Sequence, residues 1–349
     1  MIRLLRTLAA FAALLLQWTC QEVDSSQPVQ GARAFADMFA VVDTLRLEES
    51  DTTLIVTPYV YPDGVDGYLV TDGRENQVRR YTTDGRLEWQ FGRTGAGPGE
   101  FRDPRAAVRL PDGRILVGQF NERFTILDDS GAVALRAFST PFRRVEQVAM
   151  LKGGVALIAG VVGGNLEGAR LHKWDMDRET LLNSFFLPFG NTSVPDAAII
   201  GGFARFATRG DTIVATWSVA DSLYVFSPAG EALATHPLRS QYFRVPRDEP
   251  PGSTADPAEQ ARWLASFDYL AGVWWPTPDL IVLRYFEMVP EEAMSRRWHL
   301  ILLRPQSGET IDIRNTPRLL AVDSTSGRFV FSDPSSLEPN RWLIAELRE

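Results

Sequence analysis

A unit of about 46 residues recurs along the chain, and this recurrence limits the available folds more than any other feature. Residues 68–85 read YLVTDGRENQVRRYTTDG and residues 115–131 read ILVGQFNERFTILDDSG. Each holds a β-rich run, a polar loop with an asparagine (Asn76, Asn121), a second β-rich run and a turn ending in glycine. The turn glycines Gly85 and Gly131 lie 46 residues apart, and TIVATWSVADSLYVFSPAG ends at Gly230, 99 residues further on, about two periods. Residues 155–177 fill the gap, a copy with two insertions ends at Gly308, and RFVFSDPSSLEPNRWLIAEL closes the chain. Many short strands separated by Asp-Gly, Ser-Gly and Pro-Asp-Gly turns suit a sandwich, a barrel or a propeller. A fixed period long enough for four strands selects the propeller, one unit per blade. The expected fold is all-β: a six-bladed β-propeller of four-stranded blades.

Ring closure follows from the same count. The last copy runs out of chain after its third strand, Arg341 to Leu347. A missing fourth strand would leave an open edge, which invites aggregation. The run Phe39 to Leu47 (FAVVDTLRL) precedes the first unit and has strand character, so it is expected to pair as the outermost strand of blade six.

Between the first two units the chain reads FGRTGAGPGEFRDP, residues 91–104. Here it must leave the outer edge of one blade and cross to the inner strand of the next. Gly95, Gly97 and Gly99 permit backbone angles closed to other residues, and Pro98 and Pro104 stiffen the crossing. At least one of Gly97 and Gly99 is expected at positive φ. Phe101 is placed to pack between sheets, and Glu100 to accept backbone N–H groups. GAGPGEFRDP, then AAVRL, PDGR, ILVGQ and NERFTILDDSG, resembles the NHL repeat. The resemblance is specific over 91–131 and extends back to 63. It implies a propeller whose members include binding modules, calcium-dependent lactonases and metal-dependent lyases. Gly118-Gln119 depart from the Ala-Asp usual at that place; Asp72 keeps the acid in the preceding copy.

The N-terminus reads as an export signal. MIRLLR supplies two arginines, and the apolar run Leu8 to Leu16 is too short to span a bilayer. The single cysteine, Cys20, follows directly, at a place that resembles the lipidation site of bacterial lipoproteins. The expected organisation is a signal segment at 1–20, a polar tether at 21–36 and the propeller at 37–349, with insertions at 239–267 and 285–297. The expected location is periplasmic or cell-surface, with the membrane reached only through the lipid. One cysteine allows no internal disulfide, so the fold rests on its core; with 45% hydrophobic residues it has the material for one. A net charge of −8 argues against nucleic acid, as phosphate contacts need concentrated positive charge.

Function must then be argued from the faces. Crossing loops and second-to-third strand loops emerge together on one face, and both insertions belong to these types. The first offers a short helix, with Asp256 as N-cap, Pro257 at the first position and Glu259 in the first turn. The second, VPEEAMSRRW, suggests another helical turn. Trp263 and Trp298 are expected to hold the inserts down beside the channel mouth. Six residues near the starts of inner strands are candidates to line that mouth: Arg105, Arg144, Glu146, Arg205, Asp268 and Arg318. Four are arginine, which favours an anionic protein, peptide or glycan partner for a monomeric binding or scaffold module. No cofactor is expected on this reading. The alternative is a metal-assisted lyase or lactonase using the channel carboxylates Glu146 and Asp268, with calcium as the ion. The three histidines, His172, His236 and His299, fall in third or fourth strands, away from the channel, and no catalytic motif is present.

Overall fold

The computed structural model describes residues 32–49, 54–64, 66–120, 122–165, 168–187, 202–248, 251–252, 255–289 and 295–348. The expected signal segment, Cys20 and the expected tether as far as residue 31 lie outside the described residues. A short helix α1 (Phe35–Met38) leads into strand β1 (Phe39–Arg46). Blade one is then β2 (Pro58–Asp63), β3 (Gly67–Asp72), β4 (Gln77–Thr82) and β5 (Leu87–Phe91). Blade two is β6 (Pro104–Arg109), β7 (Ile115–Gln119), β8 (Arg123–Leu127) and β9 (Ala134–Ser139). Blade three is β10 (Phe142–Leu151), β11 (Val155–Val162), β12 (Leu171–Asp175) and β13 (Thr180–Phe185). Blade four is β14 (Ala204–Arg209), β15 (Thr212–Trp217), β16 (Ser222–Phe226) and β17 (Ala232–Pro237). Helix α2 (Pro257–Leu264) precedes blade five, made of β18 (Asp268–Thr277), β19 (Leu280–Val289), β20 (Ser295–Arg304) and β21 (Glu309–Thr316). Blade six holds β22 (Leu319–Asp323), β23 (Arg328–Ser332) and β24 (Arg341–Leu347).

Each blade is a four-stranded antiparallel sheet with its strands in chain order, and blade six is completed by β1 in the order β22-β23-β24-β1. The first strands β2, β6, β10, β14, β18 and β22 touch their neighbours in a closed ring around the channel. The fold is therefore a six-bladed β-propeller. Closure is the expected one: β1 runs antiparallel to β24 from Phe39 opposite Leu347 to Arg46 opposite Arg341. Phe39, almost fully buried, sets its ring edge-on to Phe329 and Phe331 at 5.0 and 5.2 Å. This apolar anchor joins the two ends of the chain.

Burial explains the strand sequences. The second strands β3 and β7 are buried along their whole length, because both faces of the sheet pack on adjoining blades. They read as near-continuous apolar runs, whereas the outer strand β5 alternates between half-buried and exposed and β9 is mostly exposed. A polar clasp recurs at the end of second strands. Asp72 accepts the Val56 and Thr57 amides at 2.7 and 3.1 Å, and its other oxygen accepts those of Arg74 and Glu75. Gln119 takes the same place in blade two and accepts one amide, from Arg102, at 2.9 Å. Ser218 and Ser332 accept from Phe203 and Arg318, each at 3.2 Å.

The glycine-rich crossing behaves as a steric device. Gly99 has φ +72°, and the Glu100 carboxylate accepts the Gly97 amide at 2.7 Å. Phe101 is fully buried among Leu69, Val78, Ala107 and Val117, between blades one and two. Gly92, at φ +108°, makes room for that ring, since a Cβ there would lie 2.3 Å from it.

The insertions differ in kind. The first forms α2 as expected, with the Asp256 carboxylate accepting the Ala258 amide at 3.1 Å. The expected helical turn at VPEEAMSRRW is not what its described ends adopt. Glu287, Met288 and Val289 pair with Arg297, Arg296 and Ser295, so the insertion lengthens the β19–β20 hairpin. Residues 290–294 lie outside the described residues.

Candidate ligand site at the channel mouth

Four of the candidate residues converge on one wall. Arg105 is the second residue of β6, Arg144 and Glu146 lie in β10, and Arg205 is the second residue of β14. Glu146, only 6% exposed, accepts hydrogen bonds from Arg144 Nε at 2.7 Å, Arg205 Nη2 at 3.2 Å and Arg105 Nη1 at 3.5 Å. Burial by itself would push this carboxyl up. The guanidiniums of Arg205, Arg144 and Arg105 outweigh it and hold the group below the usual carboxylate range. Arg105 also pairs with Asp103 at 2.8 Å and lies over the Phe120 ring, while Arg205 lies over Phe203. The Tyr61 hydroxyl donates to the Arg105 carbonyl. These three arginines are thus engaged with a carboxylate, contrary to the expectation that they stand open to a ligand.

The other wall is different. Arg284 sits mid-strand in β19, in the otherwise apolar run LIVLRYF. Its Nη2 donates to the Ala271 carbonyl at 2.7 Å and its Nη1 to the Leu319 carbonyl, so it staples blade five to blade six. Arg318, just before β22, makes no side-chain hydrogen bond or ion pair among the described residues. The Nε atoms of both are buried without a hydrogen-bond partner. Both guanidiniums lie over the Trp298 ring, at 5.0 and 5.4 Å, and Arg284 also lies over Trp274 at 5.4 Å. Burial, then the charges of Arg318 and Arg205, push the Arg284 guanidinium well below its ordinary pKa; burial also lowers Arg318. Between the walls is a cavity of about 230 Å³, lined by Tyr59, Glu146, Arg205, Trp274, Arg284 and Arg318 among others. Sequence reasoning confined to inner strands missed Arg284. The available signal was an arginine inside an apolar second strand, where both faces are buried.

Asp268 does not join this group. Its carboxylate accepts the Arg244 amide at 2.9 Å and pairs with that guanidinium at 2.6 Å, so it ties the crossing insertion to the start of β18. Beside it Glu287 draws Arg297, Arg244 and Arg314 at 3.0, 3.6 and 3.6 Å, with His299 at 3.5 Å. The two insertions share one apolar cluster: Trp263, Phe267, Tyr269 and Phe286, with Leu264, Met288 and Trp298 against it. Tyr269 stacks on Phe286 at 5.0 Å, and Phe286 meets Trp298 edge-on at 5.0 Å. The inserts therefore stand side by side, and Trp298 links their cluster to the unpaired arginines.

The histidines lie in β12, β17 and β20, third or fourth strands. His172 bonds Ser184 Oγ at 2.8 Å, and burial lowers its pKa to about 4. His299 accepts the Asn315 amide at its Nδ1, 2.9 Å away. Burial and the Arg314 charge lower it to about 4 despite Glu287, whose charge is already shared among arginines.

No family model matches the chain, and no curated protein matches it at a significant level. Two crystal structures share its architecture. One, described as a "putative exported protein" of Bacteroides fragilis, is 12% identical with a TM-score of 0.66, covering 92% of this chain and 98% of the other. The second, a duf4221 family member from Bacteroides vulgatus, is 11% identical with a TM-score of 0.60, covering 89% and 97%. At such identity the likeness speaks for the fold alone: a six-bladed β-propeller over nearly the whole length of each chain.

Proposed function

We propose that this protein is an extracytoplasmic binding propeller that captures an anionic ligand or acidic partner surface at its arginine-lined channel mouth. The observation that carries this reading is the pair Arg284 and Arg318: two half-buried guanidiniums in a cavity, neither in an ion pair with a carboxylate among the described residues. Guanidiniums stay charged at neutral pH, and buried charge without a partner is costly unless something else supplies one. Location rests on the leader pattern before Cys20 and is in keeping with the exported description of the B. fragilis neighbour. Lipidation of Cys20 would tether the propeller to a membrane. The repeat itself is NHL-like on this reading, by the motif at 91–131.

The metal-assisted alternative fits the residues poorly. Glu146 is already shared by three arginines and Asp268 is held by Arg244, so neither offers free oxygens to a cation. Among the described residues no three histidines, cysteines or carboxylates gather as a metal site. A channel mouth rich in guanidiniums also repels cations. Calorimetric titration with polyglutamate, with polylysine as the charge control, tests the main reading. The expected result is binding of polyglutamate alone, weakened by Arg318→Met; equal binding by that variant would place recognition elsewhere.

A further inference from the structure

The cavity at the mouth is not the end of the channel. A second cavity, of about 190 Å³, is lined by Gln147, Ala207, Val273, Trp274, Trp275 and Pro276 among others. Gln147, Val273 and Trp274 line both cavities, so the two are neighbouring compartments along one path. Each is larger than the ~150 Å³ apolar void that takes up a benzene. Their chemistry differs. The first holds Arg284, Arg318 and Arg205 against the single acid Glu146. The second has no charged lining residue: Trp274, Trp275 and Pro276 present flat or apolar surface, with Ala149, Ala207, Val273 and Val322 between them and the neutral polar Gln147, Thr208 and Ser324 beside them. Trp274 stands at the border, its ring under the Arg284 guanidinium.

We infer that the channel itself binds a small amphipathic organic anion, with a carboxylate or similar oxyanion on Arg284 and Arg318 and a flat apolar body reaching past Trp274 toward Trp275. This deepens the proposal of an anion-binding mouth and rests on it. The anion supplies an acceptor for the terminal nitrogens of Arg318, which make no hydrogen bond among the described residues, and a counter-charge for Arg284 beside it. A carboxylate is planar and matches guanidinium geometry in a way a spherical ion does not. The body fills volume that small residues leave open beneath the arginines, and the wall of aromatic side chains suits stacking. Glu146 contributes by exclusion. Its negative charge is already balanced by its own three arginines, so it leaves Arg284 and Arg318 as the uncompensated pair.

The test uses the exported chain without its leader and three probes in calorimetry: 2-naphthoate, neutral 2-naphthalenemethanol and acetate. 2-Naphthoate is expected to bind at least tenfold tighter than either of the others, since one lacks the charge and the other the body. Arg318→Met should weaken 2-naphthoate at least tenfold with no loss in melting temperature. Ala207→Phe, which fills the second cavity, should weaken 2-naphthoate while leaving polyglutamate unaffected. The inference is overturned if 2-naphthoate binds no better than acetate, or if Ala207→Phe has no effect on it. Polyglutamate binding that depends on Arg318, with no 2-naphthoate binding, sinks this inference and leaves the broader reading standing; failure of both probes removes both.

Discussion

On the side of blades two to four, three guanidiniums close on one buried carboxylate; on the side of blades five and six, two guanidiniums share one indole and neither forms an ion pair among the described residues. The residue type is the same and the burial is similar, but the electrostatic states are opposite. The difference teaches where a structural role ends and a binding role starts. An arginine whose partner comes from the same chain holds blades together. One whose partner is missing, in a cavity with room for it, is on the proposed reading a recognition element. Arg284 shows that one side chain can divide the tasks: its terminal nitrogens staple two blades and its Nε is left over.

The strongest way to break the comparison is to disarm the paired wall. Glu146→Gln leaves Arg144, Arg205 and Arg105 without their common counter-charge and with one acceptor oxygen in place of two. Removing one partner of a buried ion pair costs about 3–5 kcal/mol, and this carboxylate serves three. Chemical unfolding should show a loss of that size, with partial recovery when Arg144→Gln is added. A loss below about 1 kcal/mol would mean that the cluster is solvated and that the two walls do not differ.

Next comes Arg284→Met. It frees the Ala271 and Leu319 carbonyls between blades five and six. A buried acceptor left unsatisfied costs about 1–3 kcal/mol, so roughly 2–6 kcal/mol from the pair, reduced by the relief of an uncompensated charge, is expected. Unchanged stability would show that relief to be the larger of the two effects.

Acid acts on both halves alike and so serves as a control. His172 in blade three and His299 in blade five are buried and neutral, with pKa values lowered to about 4. The unfolded histidine titrates near 6.5. Between these values the unfolded chain binds more protons, so stability is full above about pH 6.5 and falls as pH drops toward 4. Each histidine accounts for on the order of 3 kcal/mol over that window. Stability measured against pH should flatten by similar amounts in His172→Gln and His299→Gln. A flattening confined to His299 would mean that the arginine-rich surroundings of Glu287, rather than burial, govern the effect.

The blade count, the closing strand and the buried Phe101 were all legible before any coordinates, because each follows from local chemistry repeated at a fixed period. The run ILVGQ has to be buried on both faces, and a unit with three strands has to borrow a fourth. The site was legible only in part. Arg105, Arg144, Glu146 and Arg205 are indeed near one another, but their mutual neutralisation depends on side chains up to 59 residues apart meeting across three blades. Nothing local in a sequence states which of several arginines will reach a carboxylate first. Asp268 misled for the same reason, since its partner Arg244 comes from an insertion with no counterpart in the other units. The helical turn expected at VPEEAMSRRW falls mainly on residues 290–294, outside the described residues; what local preference could not supply is the cross-strand pairing from Glu287 to Arg297 that extends the hairpin on either side.

The smallest expected effect on stability is also the most informative about function. Arg318 makes no side-chain hydrogen bond or ion pair among the described residues, and its contact with Trp298 is of the cation–π kind. Such a contact contributes about 0.5–2 kcal/mol, whereas the burial of an uncompensated guanidinium beside Arg284 costs a comparable or larger amount. Arg318→Met keeps the apolar stem and removes the charge, so stability should stay level or rise by up to about 1 kcal/mol. The same change should take away most of the affinity for anions. A residue that the fold would do as well without, yet which occupies the channel cavity, is most simply explained by what it binds. Should Arg318→Met instead cost several kcal/mol, the two walls would both be structural, and the contrast between them would lose its meaning.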